Sequence, residues 1–71
     1  MAKYLIKRTI IRNGIKETSY IGQLDCCYDD INQFNHTQFF KRKMTAQNCM
    51  YKYSYGDAYC EVLNIEVVEV K

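Results

Sequence analysis

Proline and tryptophan are missing from this 71-residue chain, glycine occurs three times and histidine once. With no proline to punctuate the chain, Gly14, Gly22 and Gly56 are left to mark reversals and element boundaries. Long apolar runs are missing as well, so no segment is expected to cross a bilayer as a helix. The opening stretch MAKYLIKRTIIRNG threads basic residues through apolar ones, which is not the charged head and apolar block of a secretory leader. A large charge of one sign is also lacking: the net charge of +2 is too small to imply a polyanionic partner on its own. There are no low-complexity tracts or internal repeats, and 48% apolar with 25% charged residues is the composition of a chain that folds. Residues 1–71 therefore read as a single cytoplasmic domain, whose one core is worth roughly 3–5 kcal/mol.

What is present begins with a hairpin. KYLIKRTIIR is rich in β-branched and aromatic residues and leads into Asn13-Gly14, a pair suited to the positive φ angles of a type I′ turn. A two-residue turn there sets Arg12 opposite Ile15, Ile10 opposite Glu17, Arg8 opposite Ser19 and Ile6 opposite Ile21. The face carrying Tyr4, Ile6, Ile10 and Ile21 is the expected buried one, although Leu5 and Ile11 leave the other face far from polar. Leu24, Cys26 and Tyr28 alternate as a strand continuation would. Residues 29–36 are dense in turn formers, with Ile31 and Phe34 spaced as in one helical turn, and read as a loop. TQFFK reads as a short strand.

In RKMTAQNCMYKYSYG, Ala46, Cys49, Met50 and Tyr53 recur at helical spacing on one face. Gln47, Asn48, Tyr51, Lys52 and Tyr55 fall on the other, and Gly56 stands where a C-terminal cap is expected. Arg42 is a poor N-cap and Thr45 a better one, so the start falls anywhere from 42 to 46. CEVLNIEVVEVK is a strand with Leu63, Ile65 and Val67 on one face and Val62, Val68 and Val70 mostly on the other. The fold class is α+β: an antiparallel or mixed sheet of three to four strands with one helix packed on one face.

The basic opening strand YLIKRTIIRNG, the block FKRKMTA over residues 40–46 and the closing strand NIEVVEV give the chain a pattern that resembles small proteins of bacteriophages and mobile elements of Gram-positive bacteria. The resemblance spans residues 3–12, 39–50 and 62–70 and rests on packing signals rather than a fingerprint. It implies a host-interaction role, since such proteins include anti-CRISPR-like inhibitors of defence nucleases. It carries over no site residues.

Cys26 or Cys27 with His36, Cys49 and Cys60 would make an accepted three-thiolate, one-imidazole zinc set. Zinc ligands usually come in pairs two to four residues apart, however, and adjacent cysteines of a strand point to opposite faces. In a reducing cytoplasm free thiols are the simpler reading, and no metal or other cofactor is expected. A cysteine nucleophile would need His36 as its base and a substrate pocket that so short a chain can hardly build, so the chain is read as non-enzymatic. Asp25, Asp29 and Asp30 lack the spacing of a calcium loop and are turn formers.

Lys41, Arg42 and Lys43, with Lys3, Lys7, Arg8, Arg12 and Lys16 on the hairpin, support nucleic-acid binding. Asp57, Glu61, Glu66 and Glu69 oppose it if the last strand lies beside the hairpin. The tyrosines weigh most. Seven of them with three phenylalanines exceed what one small core holds, and Tyr51, Tyr55 and Tyr59 fall away from the apolar helix face. The expected function is binding of a host protein, with Tyr51, Tyr55 and Tyr59 as anchors and Lys41, Arg42 and Lys43 steering the encounter. Self-association into a homodimer and nucleic-acid binding are the alternatives.

Overall fold

The computed structural model describes residues 2–56 and 59–71. Asn13 and Gly14 take φ angles of 52° and 78°, the left-handed pair that the hairpin turn requires. The turn joins β1 (Lys3–Arg12) to β2 (Ile15–Ile21). Every expected pair is present: Ile6 with Ile21, Arg8 with Ser19, Ile10 with Glu17 and Arg12 with Ile15. A two-residue strand β3 (Cys27–Tyr28) adds to β2, and β4 (Cys60–Val70) pairs along the whole of β1. The result is a four-stranded antiparallel sheet in the order β3-β2-β1-β4, so β4 is an edge strand. Helix α1 (Lys43–Cys49), continued by a 3₁₀ turn over Met50–Tyr53, lies across one face. The expected α+β architecture is the observed one.

The helix face of the sheet buries Ile6, Ile21, Phe40 and Ala46, flanked by Tyr4, Cys49, Met50, Tyr53, Ile65 and Val67. All four helix positions chosen by spacing therefore meet the sheet. Ile6 and Ile21, cross-strand partners that are 0% and 1% exposed, each contribute about 1.5–3 kcal/mol of burial. Arg8 lies on the same face, and its guanidinium donates to the Tyr53 carbonyl oxygen at 3.4 Å, a cation set against the C-terminal end of the helical segment.

The opposite face is covered too, which corrects the one-sided reading. Leu5, fully buried, packs with Phe34 and Phe39, and Tyr20, Tyr28, Ile31, Val68 and Val70 surround them. The cover comes from residues 29–39. Asp30 caps a single 3₁₀ turn, Ile31–Gln33, by accepting from the Asn32 amide at 2.9 Å, and Phe34 then meets Tyr28 edge to face with centroids 4.9 Å apart. The loop reading of 29–36 holds, but the loop serves as a lid over Leu5.

Three further expectations need correction. TQFFK is not a strand: Phe40 alone forms an antiparallel bridge to Tyr4, with N–H···O bonds of 2.9 and 3.0 Å. The chain turns away after Ile21, leaving the flank of β1 beside Tyr4 open, and there is room for one residue to fill it. Phe39 and Phe40 then go to opposite faces. In β4 a bulge lies opposite Thr9 and Ile10, so Val62 pairs with Ile10 and joins Ile65 and Val67 on the helix face, while Leu63 is the inserted residue and is 45% exposed. The helical segment ends with Ser54 as its cap, two residues before Gly56, and the Ser54 hydroxyl donates to the Met50 carbonyl at 2.9 Å. Its start, with Arg42 at the cap position and no side-chain cap bond, falls inside the expected range.

Candidate protein-binding surface

Leu24, Cys26 and Tyr28 were expected to prolong β2, and here the chain departs furthest from that alternation. Gln23–Asp25 is instead a tight 3₁₀ turn whose last two residues have left-handed backbone, Leu24 at φ 60° and ψ 30° and Asp25 at φ 59°. Asp tolerates that conformation, but for Leu24 it costs about 1–2 kcal/mol. The surroundings hold the turn in place. Gly22 is buried, and a Cβ on it would overlap the Gln38 carbonyl oxygen and lie 2.9 Å from the Phe34 ring. The Gln23 amide donates to the Gln38 carbonyl and its side-chain amide to the Phe39 carbonyl, each at 2.6 Å. The Gly22 amide donates to the Cys26 carbonyl at 2.8 Å, and the Tyr53 hydroxyl donates to an Asp25 carboxylate oxygen.

The product of this arrangement is a leucine side chain 90% exposed. Leu24 shares a shallow cleft with Lys52 and Tyr53, so the turn stands beside the end of the helical segment. Burial first, and the Asp25 carboxylate second, push the Tyr53 phenol above its ordinary range and keep it protonated as the donor in this contact.

The expected anchors are all on the surface: Tyr51, Tyr55 and Tyr59 are 64%, 77% and 80% exposed. Tyr51 belongs to the 3₁₀ turn, whereas Tyr55 lies beyond the helical segment, so the two are not stacked on successive turns of one helix. Next to Tyr55, Gly56 lies so close to the Cys60 carbonyl that a Cβ there would overlap it. Lys41, Arg42 and Lys43 are exposed at the opposite end of α1, about 12 Å from Tyr51 at 1.5 Å per residue. Only Tyr51 and Lys43 of these residues thus belong to the helical segment, one toward each end. Sequence reasoning missed Leu24, and the one signal near it was Gly22.

The hairpin charges do not form a stripe. Lys3, Lys7 and Lys16 share one face and Arg8 and Arg12 the other, while Glu66 pairs with Lys7 and Glu17 with Ile10 between the two arginines. Asp57 lies outside the described residues.

The cysteine pair divides between the two faces as a pleated strand requires. Cys26 packs beside the Leu5 cluster and accepts from the Gln38 side chain at 3.1 Å, whereas Cys27 is exposed opposite Ile21. Cys49 is on the helix face and Cys60 begins β4. Cys26, Cys27 and Cys49 are free thiols, and among the described residues no three His, Cys, Asp or Glu side chains converge as metal ligands. His36 lines a cleft with Lys3, Phe39, Phe40 and Lys41 that includes no cysteine. No described helix is long and apolar enough to cross a membrane.

Comparison with protein-family models, curated proteins and solved structures returns no match to this chain.

Proposed function

We propose that this chain is a small, cytoplasmic, non-enzymatic module that binds a host protein. The observation that carries the reading is Leu24: a large apolar side chain held almost wholly in water on strained backbone, by a turn locked from both sides. A fold that only needed to close its core gains nothing from such a turn, whereas a binding surface gains a rigid anchor whose ordering cost is met before the encounter. Tyr51, Tyr55 and Tyr59, exposed as Leu24 is, add stiff amphipathic area for the same partner. Lys41, Arg42 and Lys43 speed the approach of an acidic partner. The module acts by covering its partner, and the resemblance to phage and mobile-element proteins suggests an inhibitor of a host defence protein.

The test is capture of host proteins by the tagged chain, with and without nuclease. Replacing Tyr51 and Tyr55 together by Ala should weaken capture about tenfold or more and leave the fold intact. Unchanged capture refutes the assignment of these anchors. If binding is instead lost with nuclease, or falls steeply with salt, the chain is a nucleic-acid binder. The division of the basic residues between two faces counts against that alternative.

A further inference from the structure

We propose that the cleft between Lys3 and Lys41 binds an acidic peptide segment of a partner protein, one that carries a leucine or aromatic side chain between carboxylates. This rests on the protein-binding reading above and adds a second contact site with its own chemistry.

The cleft has a volume of about 630 Å³, the size of a small-ligand site, and is lined by Ala2, Lys3, His36, Phe39, Phe40 and Lys41. Phe39 and Phe40, whose side chains pack on opposite faces of the sheet and are only 6% and 4% exposed, both border its apolar floor. Its rim is cationic. The bridge between Tyr4 and Phe40 puts Lys3 and Lys41 at opposed positions one residue further along, and like charges directly opposite each other are destabilising. The Lys3 ammonium stands 4.7 Å from the centroid of the Phe39 ring, and no described carboxylate lines the cleft to neutralise either lysine.

Three other clefts among the described residues differ in this respect: one contains Glu17 and Asp29, another Asp29, Asp30 and Glu69, and the third Asp25. Charge complementarity therefore singles out this cleft for an anionic guest, and its phenylalanine floor asks that guest for an apolar side chain. A carboxylate between Lys3 and Lys41 removes their mutual repulsion, while the side chain beside it covers the exposed edges of Phe39 and Phe40. The Tyr4–Phe40 bridge holds both walls in place before the peptide arrives.

The probe is the N-acetylated, C-amidated hexapeptide EELFEE, titrated into ¹⁵N-labelled full-length protein. Saturable amide shifts are expected at residues 2–3 and 36–41. The peptide KKLFKK should bind at least about tenfold more weakly, as should EELFEE to the variant carrying Lys3→Glu and Lys41→Glu. The variant's own amide spectrum reports whether it folds, and Lys41→Gln alone, expected to cost about threefold, replaces it if it does not. Lack of saturation at millimolar peptide, or shifts centred on Tyr51, Tyr55 and Leu24, overturns the proposal. Equal binding of EEGGEE also overturns it, because the attraction would then be charge alone. Because the titration needs no natural partner, its failure is distinct from loss of capture through the tyrosine surface.

Discussion

Among the described residues, two turns use left-handed backbone, and they could hardly be more different. At the hairpin tip, Asn13 and Gly14 adopt φ 52° and 78°. These residue types enter that region at little or no cost, and the turn needs no help from the rest of the fold. At the other, Leu24 and Asp25 adopt φ 60° and 59°, and the conformation is imposed by a buried glycine on one side and by hydrogen bonds from Gln23 and Tyr53 on the other. The first turn is local chemistry that sets a register. The second is tertiary structure acting on a leucine with the opposite preference, and its visible product is the exposure of that leucine. Strain kept where a better residue was available points to use.

The comparison breaks most sharply at Gly22. Gly22→Ala should destabilise the fold by about 2–4 kcal/mol, because the new Cβ overlaps the Gln38 carbonyl, a backbone atom that cannot swing aside. Urea unfolding measures it. At the hairpin, Gly14→Ala meets no atom within 4 Å yet must hold φ at 78°, so it should cost only about 1 kcal/mol in the same assay. A larger loss at Gly14 than at Gly22 would reverse the contrast.

Tyr53→Phe removes the donor to Asp25 and should cost about 1 kcal/mol. The same contact has a pH signature. Burial and the Asp25 carboxylate raise the Tyr53 phenol above its ordinary value of 10.0, so the folded chain keeps a proton that the unfolded chain releases. The associated stability is therefore whole below about pH 10 and is lost as the pH rises through the folded-state value. In an alkaline titration followed by phenolate absorbance, Tyr53 should be the last tyrosine to ionise, and Tyr53→Phe should remove that late component. A late component that Tyr53→Phe leaves unchanged would contradict the contact.

What could be read from the sequence divides along the same line. The β1–β2 register was legible because Asn13-Gly14 states its own geometry, and α1 because Ala46, Cys49, Met50 and Tyr53 repeat at one spacing. The bulge at Leu63 was not, since Val62 and Leu63 are both apolar and either fits the core face. The lid of residues 29–39 was half legible: Leu5 on the second face called for a cover, but nothing local in Phe34 or Phe39 says which surface they will meet. Exposure of Tyr51, Tyr55 and Tyr59 followed from helical spacing and from an excess of aromatics over core volume. Apart from Gly22 the Leu24 turn left little trace, because Leu has no left-handed preference and Asp only a weak one, and the groups that hold the turn, Gln38, Phe39 and Tyr53, contact it across 15 to 28 residues.

Leu24→Gly is the smallest change to the fold and the most direct test of the central claim. Glycine relieves the left-handed strain and removes the exposed side chain together, so the variant should be more stable by about 0.5–1 kcal/mol. If Leu24 is an anchor, the more stable protein should capture its partner about tenfold less well, with stability read by urea unfolding and affinity by titration of the captured partner. A variant that gains stability and binds as tightly as the parent would contradict the account.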